Sequence, residues 1–340
     1  MPLVSLSGEM PSVRVAGRYC ARGCSVMARS PRVPRIGGVI DIPDELIATQ
    51  SQYNGAAGRA FVAALPGLAE RCLERWGLRP DGPSMYGMCA LVLPVVRESD
   101  GRPAALKLQS VDEETAGEPV ALRAWTDAGA GAVELLGHDP ETGAMLLERL
   151  DERRPLSGET DVREAVTVLG AVLARLVAVP APEGLRTLGG VVERMLAAVP
   201  ERVGLLAHAE DRRLVADCAA AVREVAGEPG DRLLHWDLHY DNVLAGRADT
   251  GRAGEWVALD PKPLAGDPGF ELFPALDNLF DADEVVWRFD ALTEALGLDR
   301  ERARAWTLGR VLQNGLWAAE DGEGRISPDH AEIGRRLLGR

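Results

Sequence analysis

Apolar residues settle into a helical period at Phe61, Leu65, Leu68, Cys72 and Trp76, which places them on one face of an amphipathic helix. Folded patterning begins near Asp41, and after Trp76 its period changes. Residues 90–96 (ALVLPVV) and 104–109 (AALKLQ) are short, dense apolar runs joined by the polar turn Glu98-Ser99-Asp100-Gly101, which predicts two strands. Residues 113–125 predict a helix, and 132–137 and 144–149 predict two more strands turned by Asp139-Pro140-Glu141-Thr142-Gly143. Helical periodicity then takes over. Residues 161–179 carry an apolar stripe that stops at Pro180 and Pro182, and 188–207 and 212–226 continue in kind. A strand-like island spans 233–259, and helical segments run from Phe270 to the C-terminus. The pattern predicts an α+β protein with a small β-rich unit over 39–149 and a larger, mainly helical unit over 150–340.

Residues 1–38 follow neither period. They hold six arginines and one acid, Glu9, and read as a disordered extension without the apolar segment of a signal peptide; a start at Met27 or later is the other reading. The best candidate for a membrane span, 169–179, is interrupted by Arg175 and is too short. Five scattered cysteines imply no disulfide framework and fit a reduced, cytoplasmic compartment. The net charge of −14 argues against a nucleic-acid partner. It suits a cationic small molecule, although solubility alone also accounts for it. Lysine occurs only at Lys107 and Lys262; every other basic residue of the 38 is Arg.

Against that background the candidate chemistry is concentrated. His235-Trp236-Asp237-Leu238-His239-Tyr240-Asp241-Asn242 has the form H-x-D-x-x-x-x-N between two apolar runs. Phosphoryl transfer to an alcohol needs a carboxylate to take the hydroxyl proton and a nearby oxygen ligand for Mg²⁺, and a tight loop can supply both as Asp237 and Asn242. Taken alone, the motif also reads as an Asx-rich turn. Asp260 ends the apolar run 256–259, 18 residues after Asn242, and matches the position of the main Mg²⁺ ligand in the kinase plan, or of a simple Asp-Pro turn. Lys107 lies inside an apolar strand, where an ammonium needs an anion. Its partners would be nucleotide phosphates and a glutamate of the next helix, Glu118, with Glu114 as the rival; a snorkelling edge-strand lysine is the alternative.

These stretches resemble the aminoglycoside/hydroxyurea antibiotic kinase family, and within it the streptomycin 6-kinases. The likeness covers about 41–335 and is carried by 105–108 (ALKL), 118–125, 145–150 (MLLERL), 234–244 (LHWDLHYDNVL), 259–270 (LDPKPLAGDPGF) and 306–317 (WTLGRVLQNGLW). The resemblance implies a protein-kinase-like bilobal fold and ATP-dependent phosphorylation of a hydroxyl on an aminoglycoside, streptomycin first, with resistance as the result. Hydroxyurea or another small hydroxylated metabolite is the alternative acceptor, and a non-catalytic nucleotide sensor the alternative of another class. It further implies Asp237 as catalytic base, Asn242 and Asp260 as Mg²⁺ ligands, Lys107 and Glu118 as the phosphate-positioning pair, and 147–150, notably Glu148 and Leu150, as the adenine hinge. A monomer or homodimer is expected. Three features depart from the family pattern: few glycines in Gly82-Pro83-Ser84-Met85-Tyr86-Gly87, Glu271 where Asp is expected, and Pro119 directly after Glu118.

For the acceptor, Trp306, Arg310, Gln313 and Trp317 share one helical face, with Glu320 and Asp321 just beyond. Aromatic walls, an amide and carboxylates can hold a guanidinium-bearing sugar, and the same spacing equally fits tryptophans of an ordinary core. Asp277 is a candidate cation contact or a surface residue, and His239 a substrate contact or a structural hydrogen bond.

Overall fold

The structure is a computed structural model and describes residues 28–29 and 40–340. The first unit is one antiparallel sheet backed by a long helix. Strand β1 (Ala28–Arg29) pairs with β3 (Met85–Tyr86), and the order continues through β4 (Ala90–Arg97), β5 (Pro103–Gln109), β7 (Met145–Glu148) and β6 (Leu135–His138), with β2 (Leu78–Pro80) on β4. The remainder of the predicted 1–38 extension lies outside the described residues. Helix α1 (Asp44–Trp76) carries a non-helical break at Gly55 and stops at Gly77, whose φ of 56° is left-handed. Helix α2 (Glu118–Asp127) follows β5.

Strand alternation decides which side chains face where. Leu91, Leu93 and Val95 of β4 and Leu106 and Leu108 of β5 point one way, into a core shared with Leu65, Leu68 and Cys72 of α1. Val92, Ala105 and Leu147 belong to the other apolar cluster, on the opposite face. Lys107 falls on that face because it sits between Leu106 and Leu108 in a period of two.

The second unit is mainly helical. Helices α4 (Leu188–Arg202), α5 (Ala209–Val225), α6 (Phe273–Asp277), α7 (Val285–Ala295) and α9 (Pro328–Leu337) surround α8 (Arg300–Glu320), and α3 (Val162–Val177) packs on α7. Helix α8 is buried almost all round from Ala303 to Ala319. Two small sheets carry the loops that matter: β8 (Asp151–Pro155) with β10 (Val243–Ala245) and β11 (Trp256–Ala258), and β9 (Arg232–Leu234) with β12 (Leu264–Gly266).

Several boundaries differ from the sequence pattern. The helix predicted over 113–125 starts at Glu118, because the Asp112 carboxylate accepts from the backbone N–H groups of Glu114 and Thr115 and holds that stretch in turns. Pro119 then falls in the first turn, where its missing N–H costs nothing. Helix α1 begins well before Phe61, at Asp44, and α4 ends at Arg202 in a short 3-10 turn. Strand β8 has the sequence DERRP, with no apolar alternation to reveal it.

Gly269 sits where α8 crosses the turn after β12. A Cβ there would lie 2.8 Å from the Ala303 Cα of α8. Gly269→Ala should therefore destabilise the protein by about 1–3 kcal/mol through overpacking. The denaturant midpoint reads this directly, and an unchanged midpoint would contradict it.

Candidate active site

The loop from His235 to Asn242 connects β9 to β10, and buried neighbours hold much of it in place. Trp236 adopts a left-handed φ of 65°, and its N–H donates to Glu271 Oε1 at 2.7 Å. Glu271 is thus the buried anchor of the turn that precedes Asp237, which gives the departure from Asp a structural role. His235 Nε2 lies 3.0 Å from Leu259 O, and its ring stacks on Trp125 at 6.0 Å between centroids. Burial, then the Lys262 charge, push the His235 pKa down to about 3, so it is a neutral pin. Tyr240 donates its hydroxyl to Ala275 O at 3.1 Å and its N–H to Asn278 Oδ1 at 3.2 Å. Asn278 in turn donates Nδ2–H to Asp241 Oδ2 at 3.1 Å.

Within this frame Asn242 Nδ2 donates to Asp237 O at 2.9 Å, which points its Oδ1 away from the loop backbone. Burial pushes the Asp237 carboxyl up, against the opposing charges of His239, Lys262 and Arg310. His239 Nδ1 is 3.6 Å from Asp241 Oδ2. Burial works against its charge, but Asp241 and Asp237 outweigh it and shift its pKa upward.

A second cluster meets the loop from the sheet. Lys107 Nζ donates to Glu118 Oε1 and Oε2 at 2.7 and 2.9 Å and to Asp260 Oδ1 at 2.5 Å. Gln109 Nε2 also donates to Glu118 Oε2 at 2.6 Å. The partner of Lys107 is therefore Glu118. Glu114 instead lies 3.5 Å from Arg186, and burial pushes its carboxyl up to about 7. Asp260 has a left-handed φ of 59°. Burial alone would raise its pKa, but Lys107 and Lys262 drive it well below the usual carboxylate range, so it stays an anion.

Lys107, Glu148, Leu150, Asp237, His239, Asn242 and Asp260 all line one cleft of about 950 Å³, mouth included, and Glu118 stands behind Lys107. Val92, Ala105, Val133 and Leu147 form apolar wall on the sheet side, with Leu244 and Leu259 from the other unit. Gly87 and Met88 lie at the edge. The glycine-poor turn is braced from α1, where Gln50 Nε2 donates to Met88 O at 3.0 Å, and from the chain before it, where Ser84 Oγ donates to Asp41 O at 2.6 Å. An anionic carboxylate and an amide oxygen at one end of an apolar cleft could hold a hard divalent cation together with phosphate and water. Among the described residues no cluster of three or more His, Cys, Asp or Glu forms a self-sufficient metal site.

Asp237 and His239 also line a smaller hollow with Phe273, Asp277 and Arg310. That hollow shares Asp277 and Asn278 with a polar basin holding Asn314, Glu323, Asp329 and His330. The predicted acceptor face does not stay together. Gln313 and Trp317 line a separate hollow with Glu114, Arg186 and Trp236, while Asp321 borders none of these hollows. Trp306 is fully buried against Phe270. The physical reason is Arg310, which is buried beneath Trp236, Phe270 and Phe273 at 5.1, 5.4 and 5.9 Å and fills the middle of that helix face. Asn278 and Arg186 escaped the sequence reading because nothing local marks them.

Residues 75–322 match the family of aminoglycoside/hydroxyurea antibiotic resistance kinases. The chain belongs to that family. It is 62% identical to a hydroxyurea phosphotransferase from Kitasatospora aureofaciens over 342 aligned residues, covering 100% of this chain and 98% of the relative. It is 50% identical to a streptomycin 6-kinase from Streptomyces glaucescens, covering 88% of this chain and 98% of the relative. Among solved structures it resembles an aminoglycoside phosphotransferase, APH(4)-Ia, in a complex with ADP and hygromycin B (TM-score 0.53, 16% identity, 79% of this chain and 96% of that one). It also resembles a choline/ethanolamine kinase family protein from Mesorhizobium loti (TM-score 0.51, 18% identity, 77% and 92%). At those identities the likeness shows the fold, which is protein-kinase-like as expected. No helix among the described residues is long and apolar enough to cross a membrane.

The buried Glu271 gives a pH test. Burial raises its carboxyl to about 7, above the ordinary 4.5, so the folded state holds the proton more tightly than the unfolded chain. Its contribution is fully present below about pH 4.5 and is lost as pH rises through about 7. On moving from about pH 8 to about pH 5, wild type should gain stability relative to Glu271→Gln. Parallel denaturation midpoints at both pH values would contradict this.

Proposed function

We propose that the protein is an ATP-dependent phosphotransferase that phosphorylates a hydroxyl of a small antibiotic, with a cationic aminoglycoside such as streptomycin as acceptor. The observation that carries the reaction is the meeting of Lys107, Asp260, Asn242 and Asp237 in one cleft. In this reading adenine lies between the apolar walls, with its edge against the backbone of Glu148 and Leu150. Residues 39–149 cover the nucleotide, and 150–340 supply the base and the acceptor side. Lys107, held by Glu118, meets the α- and β-phosphates. Asn242 and the anionic Asp260 would hold Mg²⁺, which when bound would neutralise phosphate charge.

Asp237 stands where the nucleotide cleft and the smaller hollow meet. It orients the acceptor hydroxyl and takes its proton as the oxygen attacks the γ-phosphorus in line, while ADP departs from the opposite side. Positioning and charge neutralisation supply most of the acceleration. Asp277, Asp329 and Glu323 around the adjoining basin support a cationic acceptor. A phosphate adds about −1.5 to −2 of charge at neutral pH, which opposes a drug's cationic recognition and fits a resistance role.

A second reading has its own support. The 62% identity to a hydroxyurea phosphotransferase spans the whole chain and exceeds the 50% to a streptomycin 6-kinase. Hydroxyurea is small and neutral, and it would need only the hollow at Asp237. ADP release with Mg-ATP and either streptomycin or hydroxyurea, followed by product mass, separates the two. Nucleotide binding with no turnover on any acceptor would favour a sensor instead.

Asp237→Asn should lower turnover by about 10²–10⁴-fold, the usual worth of a general base, while leaving nucleotide affinity and the thermal midpoint near wild type. A folded Asp237→Asn enzyme with near wild-type turnover would remove Asp237 from the mechanism.

A further inference from the structure

Lys262 has no task in the mechanism above, yet it is one of only two lysines in the chain. It is 4% exposed and lies two residues beyond Asp260. Its Nζ donates to Asp260 Oδ2 at 3.1 Å, while Lys107 donates to Oδ1 of the same carboxylate at 2.5 Å. Both lysines of an otherwise arginine-only chain therefore grip one carboxylate from its two oxygens. Lys107 is balanced by Glu118, with which it makes two hydrogen bonds. The Asp260 charge faces Lys262, whose field also reaches the carboxylates of Glu114 and Asp237.

The backbone fixes which side Lys262 approaches from. Its N–H donates to His235 O at 2.9 Å, and its carbonyl accepts from Arg186 Nη2 at 3.1 Å. Two residues later Leu264 pairs with Leu234, which leads into the loop. Lys107 reaches Asp260 from the sheet, and Lys262 reaches it from the side of the Asp237 loop. The Lys262 charge is felt there, since it helps lower the His235 pKa and opposes the burial that raises that of Asp237.

From this placement we infer that Lys262 neutralises the phosphoryl group in flight: Lys107 contacts the phosphates that stay with the nucleotide, and Lys262 contacts the one that leaves. The inference rests on the phosphotransferase reading. In that step the acceptor oxygen forms a bond to the γ-phosphorus as the bond from phosphorus to the β,γ-bridging oxygen breaks. The bridging oxygen keeps the electron pair and departs with ADP, and the hydroxyl proton passes to Asp237. Negative charge spreads over the equatorial oxygens, where a fixed, desolvated cation stabilises it far more than one in water. An incoming phosphate competes with Asp260 for the same ammonium. A compact ammonium suits a gap between one carboxylate and a phosphate, whereas a guanidinium fork is broad and planar.

The experiment compares the phosphate that moves with those that stay. Wild type, Lys262→Met and Lys262→Arg are titrated calorimetrically with MgADP and with Mg-AMP-PNP, a non-hydrolysable ATP analogue. Turnover is measured with whichever of streptomycin or hydroxyurea supports the wild type. In Lys262→Met, MgADP affinity should stay within about threefold, the analogue should bind at least about tenfold more weakly, and kcat should fall about 10²–10³-fold with little change in acceptor KM. Lys262→Arg keeps the charge and should recover the analogue's advantage and part of kcat. Equal losses of ADP and analogue affinity would make Lys262 a mere support for Asp260 and overturn the inference. So would a Lys262→Met kcat within about threefold of wild type. If Lys262→Met does not fold, Lys262→Arg decides: a retained analogue preference with lowered kcat supports the inference, and parallel losses of both affinities overturn it. A wild type that binds neither nucleotide defeats the phosphotransferase reading itself, and does so without any variant.

Discussion

A lysine ammonium removed from water must be given anions, and much of this structure is arranged around that requirement at Lys107. Its side chain is almost wholly buried, and the two carboxylates that satisfy it come from α2 and from the end of β11. Glu118 follows it closely in sequence, but Asp260 is 153 residues away. The ion cluster is thus a clasp between the sheet and the helical unit. Burial opposes the lysine's charge, and Asp260 and Glu118 outweigh that opposition and raise its pKa. Such buried pairs add little net stability compared with apolar packing, but losing one partner leaves an unbalanced charge. The clasp therefore acts mainly on geometry: it fixes where the sheet stands over the loop of Asp237.

The loop itself solves a different problem. It must present carboxylates and an amide to a cleft while spending few of them on its own stability. Buried neighbours meet its backbone demands: Glu271 takes the Trp236 N–H, Asn278 takes the Tyr240 N–H, and Ala275 accepts the Tyr240 hydroxyl. Asn242 is spent on the loop through its nitrogen rather than its oxygen, and His239 leans on Asp241. Asp237 is left with its carboxylate facing two hollows. Trp236 and Asp260 both adopt left-handed conformations, the first held by Glu271 through its N–H and the second by Lys107 and Lys262 through its carboxylate.

What the sequence made legible follows from how local each signal is. Lys107 stood out because a charge inside an apolar strand is visible within a few residues, and the period of two then dictates its face. The choice of Glu118 over Glu114 rested on position alone, and the geometry agrees with it because Asp112 unwinds the stretch that would have made Glu114 helical. Strand β8 was invisible because it carries almost no apolar pattern; it is held by backbone pairing to β10. The face of α8 is divided in a way that spacing does not show, for a related reason. Spacing places Trp306, Arg310, Gln313 and Trp317 together, but it says nothing of the aromatic rings from β12 onward that pack against Arg310 and divide that face.

Acceptor choice belongs to the least local level. The hollow at Asp237 and its neighbouring basin draw on the loop 235–242, α6, α8 and α9, so no single window of sequence contains them. The nucleotide side, by contrast, is built from one sheet, one loop and one strand end, each with its own short motif. Two relatives with differently named substrates, at 62% and 50% identity, can therefore both resemble this chain closely. In the proposed reading the side chains that meet the acceptor around Asp277 are few, so exchanging one acceptor for another there would shift an overall identity of 62% or 50% very little.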